Sequence, residues 1–82
     1  MNDQTYMKLA IDEAKKAALK NEVPVGAVIV DAGGNVISRA HNQPITLSDP
    51  TAHAEILALR KACRFVSNYR LPDTTMYVTI EP

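Results

Sequence analysis

The run Val25-Gly26-Ala27-Val28-Ile29-Val30 constrains this chain more than any other stretch of it. It follows Pro24, has no polar side chain and is mostly β-branched. A strand with one wet face would alternate apolar with polar residues, so this run reads as a strand buried on both faces. A strand of that kind belongs inside an α/β sheet. Gly26 within it marks a close backbone approach or a bulge.

The flanking segments supply the other elements. Asn2 and Asp3 are good N-caps, and Met7, Ala10, Ile11, Ala14, Ala17 and Ala18 then recur at the spacing of an amphipathic helix. Lys8, Asp12, Lys15 and Lys16 are expected on its wet side, with Glu13–Lys16 and Asp12–Lys16 as surface pairs. The packing face is largely alanine, so the helix should lie close to what it covers, and Pro24 closes this helical region. After the central run, Asp31-Ala32-Gly33-Gly34-Asn35 is turn chemistry, and Val36 to His41 reads as a second strand of a hairpin. Gln43 to Thr51 is a polar loop. Ser48 or Asp49 is expected to cap, and Pro50 to open, a second helix running to about Phe65. Its core stripe would be Ile56, Leu59, Cys63 and Val66, with Arg60, Lys61 and Arg64 outward. Thr75 to Ile80 reads as a third strand, expected to pair parallel through a right-handed crossover.

Composition narrows the function. Nine Lys+Arg balance nine Asp+Glu, which excludes a binder driven by uncompensated positive charge. The stripes Arg60, Lys61, Arg64 and Lys15, Lys16, Lys20 also fit ordinary solvated helix faces. With 46% hydrophobic and 22% charged residues the chain has globular composition, and at 82 residues it makes one small domain. No apolar run approaches the ~20 residues of a membrane span, and the N-terminal stretch, which has acids and no apolar core, is not that of a signal peptide. A single cysteine, Cys63, makes no internal disulfide and fits a reducing, cytoplasmic setting.

The residues with chemistry to offer are His53-Ala54-Glu55 at the predicted start of the second helix. A histidine there also fits a plain surface position beside a glutamate that favours the helix N-terminus. On a helix, i and i+2 point about 200° apart, so the two side chains share a site only in the first turn, leaning over the helix end. In that setting His53 can ligate a metal while Glu55 moves protons to and from a metal-bound water, whose pKa zinc lowers to about 7. A catalytic zinc takes three protein ligands. Cys63 is ten residues, a rise of ~15 Å, along the helix from His53 and too far to share a metal; it fits a small buried apolar residue instead. His41 and Asn42 are neighbours at a strand end, so at most one of them faces the site. The residues alone give half of a metal site at most.

Beyond that point the sequence resembles a known family, the bacterial tRNA-specific adenosine deaminases of the cytidine deaminase-like superfamily. The resemblance runs in unbroken order over essentially the whole chain: Glu22-Val-Pro-Val-Gly-Ala-Val-Ile-Val30, His41-Asn42, Asp49-Pro-Thr-Ala-His-Ala-Glu-Ile56, Ala58-Leu-Arg60, Asn68-Tyr-Arg-Leu71 and Tyr77-Val-Thr-Ile-Glu-Pro82. It implies a three-layer α/β/α sandwich, present here as a partial α-β-β-α-β unit filling residues 1–82. It implies His53 as a Zn2+ ligand, Glu55 as the catalytic proton shuttle, Asn42 as a hydrogen-bond partner of a flipped-out base, the Ala54 N–H as a contact to the purine, and Val25 as pocket wall. The implied reaction is hydrolytic attack at C6 of adenine, giving inosine at the wobble position of a tRNA anticodon loop; this enzyme class carries an H-x-E followed by P-C-x-x-C.

The chain departs from that pattern where the sequence stops, at Pro82, just before the Cys-x-x-Cys ligands. It is therefore expected to be an incomplete and inactive piece, since one histidine does not hold catalytic zinc. The third strand is expected to leave an unpaired apolar edge and to drive self-association, as a homodimer or larger. Two alternatives stand beside the tRNA reading. One is a deaminase of a free nucleobase or nucleotide, guanine or cytosine, which shares His-Ala-Glu. The other is a catalytically dead, deaminase-like binding or scaffold module.

Overall fold

A computed structural model describes residues 2–79. The element order is α1 (Asp3–Leu19), β1 (Gly26–Val30), β2 (Val36–His41), α2 (Ala54–Val66) and β3 (Thr75–Val78). The strands form one sheet in the order β2-β1-β3, and every residue of β1 is buried. α1 packs on one face through Tyr6 and Ala10 against Val28 and Val30. α2 packs on the other through Ala54, Ala58 and Ala62 against Ala27, Ile29 and Ala40. The three layers expected from the sequence are present, and the chain is an α/β unit.

The first helix starts as its sequence dictates: Asn2 Oδ1 accepts from the Thr5 N–H at 3.0 Å. It ends at Leu19, earlier than Pro24 requires, because Asn21 turns left-handed (φ 58°) and the Glu22 N–H closes on the Ala17 carbonyl. Ala10, Ala14 and Ala17 are buried as expected, but Ile11 and Ala18 are exposed, and Tyr6 and Glu13 take their place in the core. The alanine face has the predicted consequence. A Cβ on Gly26 would overlap the Ala10 carbonyl oxygen and sit 2.6 Å from the Ala14 nitrogen, so Gly26 is where α1 touches the sheet.

Three expectations are corrected. β3 does not pair parallel: it hydrogen-bonds to β1 antiparallel, with Val28 opposite Tyr77 and Ile29 opposite Met76. Because β2 is also antiparallel to β1, β2 and β3 run the same way, but α2 carries the chain across β1 to its free edge. A fully apolar β1 is satisfied only with a partner on each side, which explains that placement. The second helix begins at Ala54 with His53 as N-cap, later than Ser48 or Asp49. Asp49 Oδ1 is spent on the Thr51 N–H and hydroxyl two residues on, and Ser48 is left-handed (φ 50°), so both make a turn instead of a cap. The core stripe of α2 is Ala54, Ala58 and Ala62; Leu59 and Val66 are exposed and Cys63 is only half-buried. Alanines at i, i+4 and i+8 form the buried stripe with Leu57 packed half-buried beside them, while Leu59, Phe65 and Val66 are turned aside. Ile80, the expected last residue of β3, and Glu81-Pro82 lie outside the described residues.

Candidate functional site

The alternation of β2 decides which of its residues face which helix. Ser38 and Ala40 face α2, the former donating its hydroxyl to the Ala58 carbonyl at 2.7 Å. Arg39 and His41 face α1, where both meet Glu13. Asn42, one residue on, turns back towards α2: its Oδ1 accepts from the Ala54 N–H at 2.7 Å, and both residues are buried. Only one of the two neighbours reaches the start of α2, and it is Asn42.

A second bond, from the Gln43 N–H to the Ala52 carbonyl at 2.9 Å, closes the neck of the 43–52 loop. The Asn42 N–H donates to the Val25 carbonyl at 3.0 Å, which fixes the half-buried Val25 beside it. The end of β2, the approach to β1 and the first turn of α2 therefore converge, and they bring together Val25, Asn42, Ala54 and the His53–Glu55 pair. His53 is an exposed N-cap whose side chain makes no capping bond, and Glu55 is in the first helical turn. Both positions therefore belong to the start of the helix. The bond between Asn42 and Ala54 joins the two groups that the resemblance sets against the base.

Sequence reasoning missed two carboxylates that hold this region. Glu13 was expected on the surface, yet it is 4% exposed. It pairs with Lys16 at 2.7 Å as expected, and also with Arg39 and His41, each at 3.1 Å. Burial pushes its carboxyl up, but the hydrogen bonds from Lys16 and His41 and the charges of Lys16 and Arg39 outweigh that and hold it below its ordinary value. The signal was its spacing, since Tyr6, Ala10, Glu13 and Ala17 lie along one helical stripe. Glu22, 6% exposed, accepts from the Thr46 N–H at 2.6 Å, the Thr46 hydroxyl at 2.7 Å and the Ile45 N–H at 3.3 Å. Burial raises its pKa, and the bonds from Thr46 and Ile45 more than reverse this. Nothing in its local sequence signals that role.

The donor set does not complete a metal centre. Among the described residues no group of three or more His, Cys, Asp or Glu side chains is placed to hold an ion. His53 is thus short of the three protein ligands that catalytic zinc takes. Open hollows of about 390 and 300 Å3 exist, but they are lined from the later turns of α2 and residues 68–74, not by His53, Glu55 or Asn42.

The family model described as "Cytidine and deoxycytidylate deaminase zinc-binding region" matches residues 1–82, and the chain belongs to that family. Among curated proteins it is 50% identical over 80 residues to the tRNA-specific adenosine deaminase of Haemophilus influenzae, covering 98% of this chain and 46% of that protein. It is 50% identical over 82 residues to that of Aquifex aeolicus, covering 100% and 54%. For that of Bacillus subtilis the figures are 51% over 80 residues, 98% and 49%. The chain spans about half the length of these relatives. Among solved structures, one from studies of A-to-I editing by tRNA:A34 deaminases at the wobble position superimposes with TM-score 0.90 at 47% identity, covering 96% of this chain and 60% of that one. A guanine deaminase from Bacillus subtilis superimposes with TM-score 0.92 at 41% identity, covering 100% and 52%.

Proposed function

We propose that this chain is the base-holding part of a hydrolytic deaminase that converts adenosine to inosine at the wobble position of a tRNA anticodon loop. The observation that carries the reading is the bond from the Ala54 N–H to the Asn42 carboxamide, which sets Asn42 against the first turn of α2, the turn that carries Glu55. Asn42 Nδ2 donates to a ring nitrogen of the base, Val25 bounds the pocket, and Glu55 takes a proton from the attacking water and returns one to the departing amine. Water adds at C6 and ammonia leaves, which balances the conversion. His53 is the chain's own candidate zinc ligand, and among the described residues it has no partners to complete a site.

The relatives of about 50% identity favour tRNA over a free base. A base splayed from a single-stranded loop is read by a pocket with little demand for phosphate charge, which suits a chain of zero net charge. The guanine deaminase likeness supports the free-nucleobase alternative. As to partners, β3 is an edge strand among the described residues, and Phe65 and Tyr69 are 70% and 81% exposed, which supports self-association through an uncovered face.

The test is a titration of 15N-labelled chain with an anticodon stem-loop carrying adenine at the wobble position, and separately with guanine and with cytosine. The expected result is a shift of the Asn42 side-chain amide and of the Val25 and Ala54 backbone signals with the stem-loop alone, lost in Asn42→Ala. Shifts with guanine or cytosine alone would move the reading to a free-nucleobase deaminase. No shift with any of the three would leave a scaffold module.

A further inference from the structure

We infer that Glu13 is a positioning residue for Asn42, acting through the His41 side chain on the opposite face of β2. The inference rests on the reading of Asn42 as the group that holds the base. The chain of contact is short and crosses the sheet. Glu13 stands on α1, which contributes nothing to the pocket. Its Oε1 lies 3.1 Å from His41 Nδ1. Its carboxyl is held ionised and can only accept, so Nδ1 carries the hydrogen. The other ring nitrogen, Nε2, is buried and has no hydrogen-bond partner among the described residues. Glu13 is thus the one polar tether, among the described residues, of an imidazole whose side chain is 11% exposed.

That tether is one peptide away from the pocket. His41 is opposite Gly26 at the last rung of the β1–β2 ladder, and the following N–H, that of Asn42, bonds the Val25 carbonyl. Beyond this rung the chain leaves the sheet, and the bonds from Asn42 to Val25 and from Gln43 to Ala52 are the main-chain hold that remains on Asn42. Two carboxylates from outside the pocket supply what the ladder lacks. Glu13 holds the side chain before Asn42, and Glu22 holds the backbone of Ile45 and Thr46 after it. Without Glu13 the ring would be buried with both nitrogens unpartnered, a costly arrangement that turning outward relieves. With the ring displaced, the strand end loses that anchor, and so does the carboxamide that meets the Ala54 N–H.

Hydrogen exchange reads this directly, because the Ala54 amide is protected by Asn42 Oδ1 itself. In Glu13→Ala the protection of Ala54 should fall about tenfold more than that of Ile29, in the central strand, which reports the whole fold. In Glu13→Gln, whose amide oxygen still accepts from Nδ1–H, the excess loss should shrink to about threefold or less. Where Glu13→Ala fails to fold, the double variant Glu13→Ala/His41→Phe leaves no ring nitrogen unpartnered, so the ring stays buried and the excess loss at Ala54 should stay at about threefold or less; an excess loss near tenfold there would overturn the inference. Equal losses at Ala54 and Ile29 would make Glu13 merely structural and overturn the inference, as would equal excess losses in the Ala and Gln variants. Repeating the stem-loop titration on Glu13→Gln and Glu13→Ala separates the two proposals. No shift in the parent chain overturns the base-holding role, whereas a parent shift unchanged in Glu13→Ala overturns positioning alone.

Discussion

Replacing Gly26 by alanine adds a single methyl at the point where α1 rests on the sheet. That methyl would overlap the Ala10 carbonyl oxygen, lie 2.6 Å from the Ala14 nitrogen and 2.8 Å from Glu13 Cβ. All are backbone or backbone-attached atoms of one rigid helix, so no side chain can rotate away and the helix must lift as a body. Lifting it loosens Ala10 and Ala14 and draws Glu13 away from His41. Overpacking of this kind costs about 1–3 kcal/mol, and a clash with main-chain atoms belongs at the upper end. A domain of this size has roughly 4–12 kcal/mol in total, so the loss is a large share. With m near ~1 kcal/mol/M, urea unfolding followed by circular dichroism should show the midpoint falling by about 2–3 M. Gly33→Ala is the control. There the methyl would meet only the Asn35 and Asp31 side chains, at 3.2 and 3.5 Å, and the change should stay within ~0.5 kcal/mol. A Gly26→Ala chain as stable as the parent would refute the account of how α1 is seated.

Two further predictions concern polar groups held by hydrogen bonds. Asn42→Ala leaves the buried Ala54 N–H without its acceptor and should destabilise by about 1–3 kcal/mol in the same urea assay; a loss under ~0.3 kcal/mol would contradict the bond's role. The carboxyls of Glu13, Glu22, Asp31 and Asp49 are all held below their ordinary values. A lowered pKa in the folded state means stability that is full above the ordinary carboxylate range and is lost as pH falls through the folded value. The melting temperature should therefore be level near neutrality and decline below about pH 4.5, with a shallower decline in Glu13→Gln; a melting temperature independent of pH down to 3 would sink this.

The layers were legible because they follow from short-range rules. Val25 to Val30 offered no polar face, so cover on both sides followed, and the Asp31–Asn35 turn allowed the hairpin no other closure: Asp31 Oδ1 accepts from the Gly33 and Asn35 N–H groups. Less legible was anything set by a partner far along the chain. Glu13 looks like half of a surface pair until Arg39 and His41 arrive 26 and 28 residues later. Asp49 looks like a cap until Thr51 competes for it. The direction of β3 depends on which edge of β1 remains open, which no local window contains. In the site, the His53–Glu55 pair was readable at the helix start, and the alternation rule left one place between His41 and Asn42. The choice of Asn42 needed the face of β2 that only packing supplies.

The antiparallel docking of β3 also sets an order of assembly. β1 and β2 are joined by a tight turn and can pair as soon as both exist, but the other edge of β1 waits for residues far downstream. The Gly26 N–H meets the Thr79 hydroxyl across 53 positions, and the Tyr77 hydroxyl reaches Asp3 across 74. Loop closure over such separations is slow compared with forming a hairpin or a helix. On a ribosome the central strand therefore emerges with one side open, and the N-terminal helix gains its contact with Tyr77 only once that strand has been synthesised. During that interval Val28 and Ile29 present an unpaired apolar strand edge, the kind of surface on which nascent chains meet chaperones or one another.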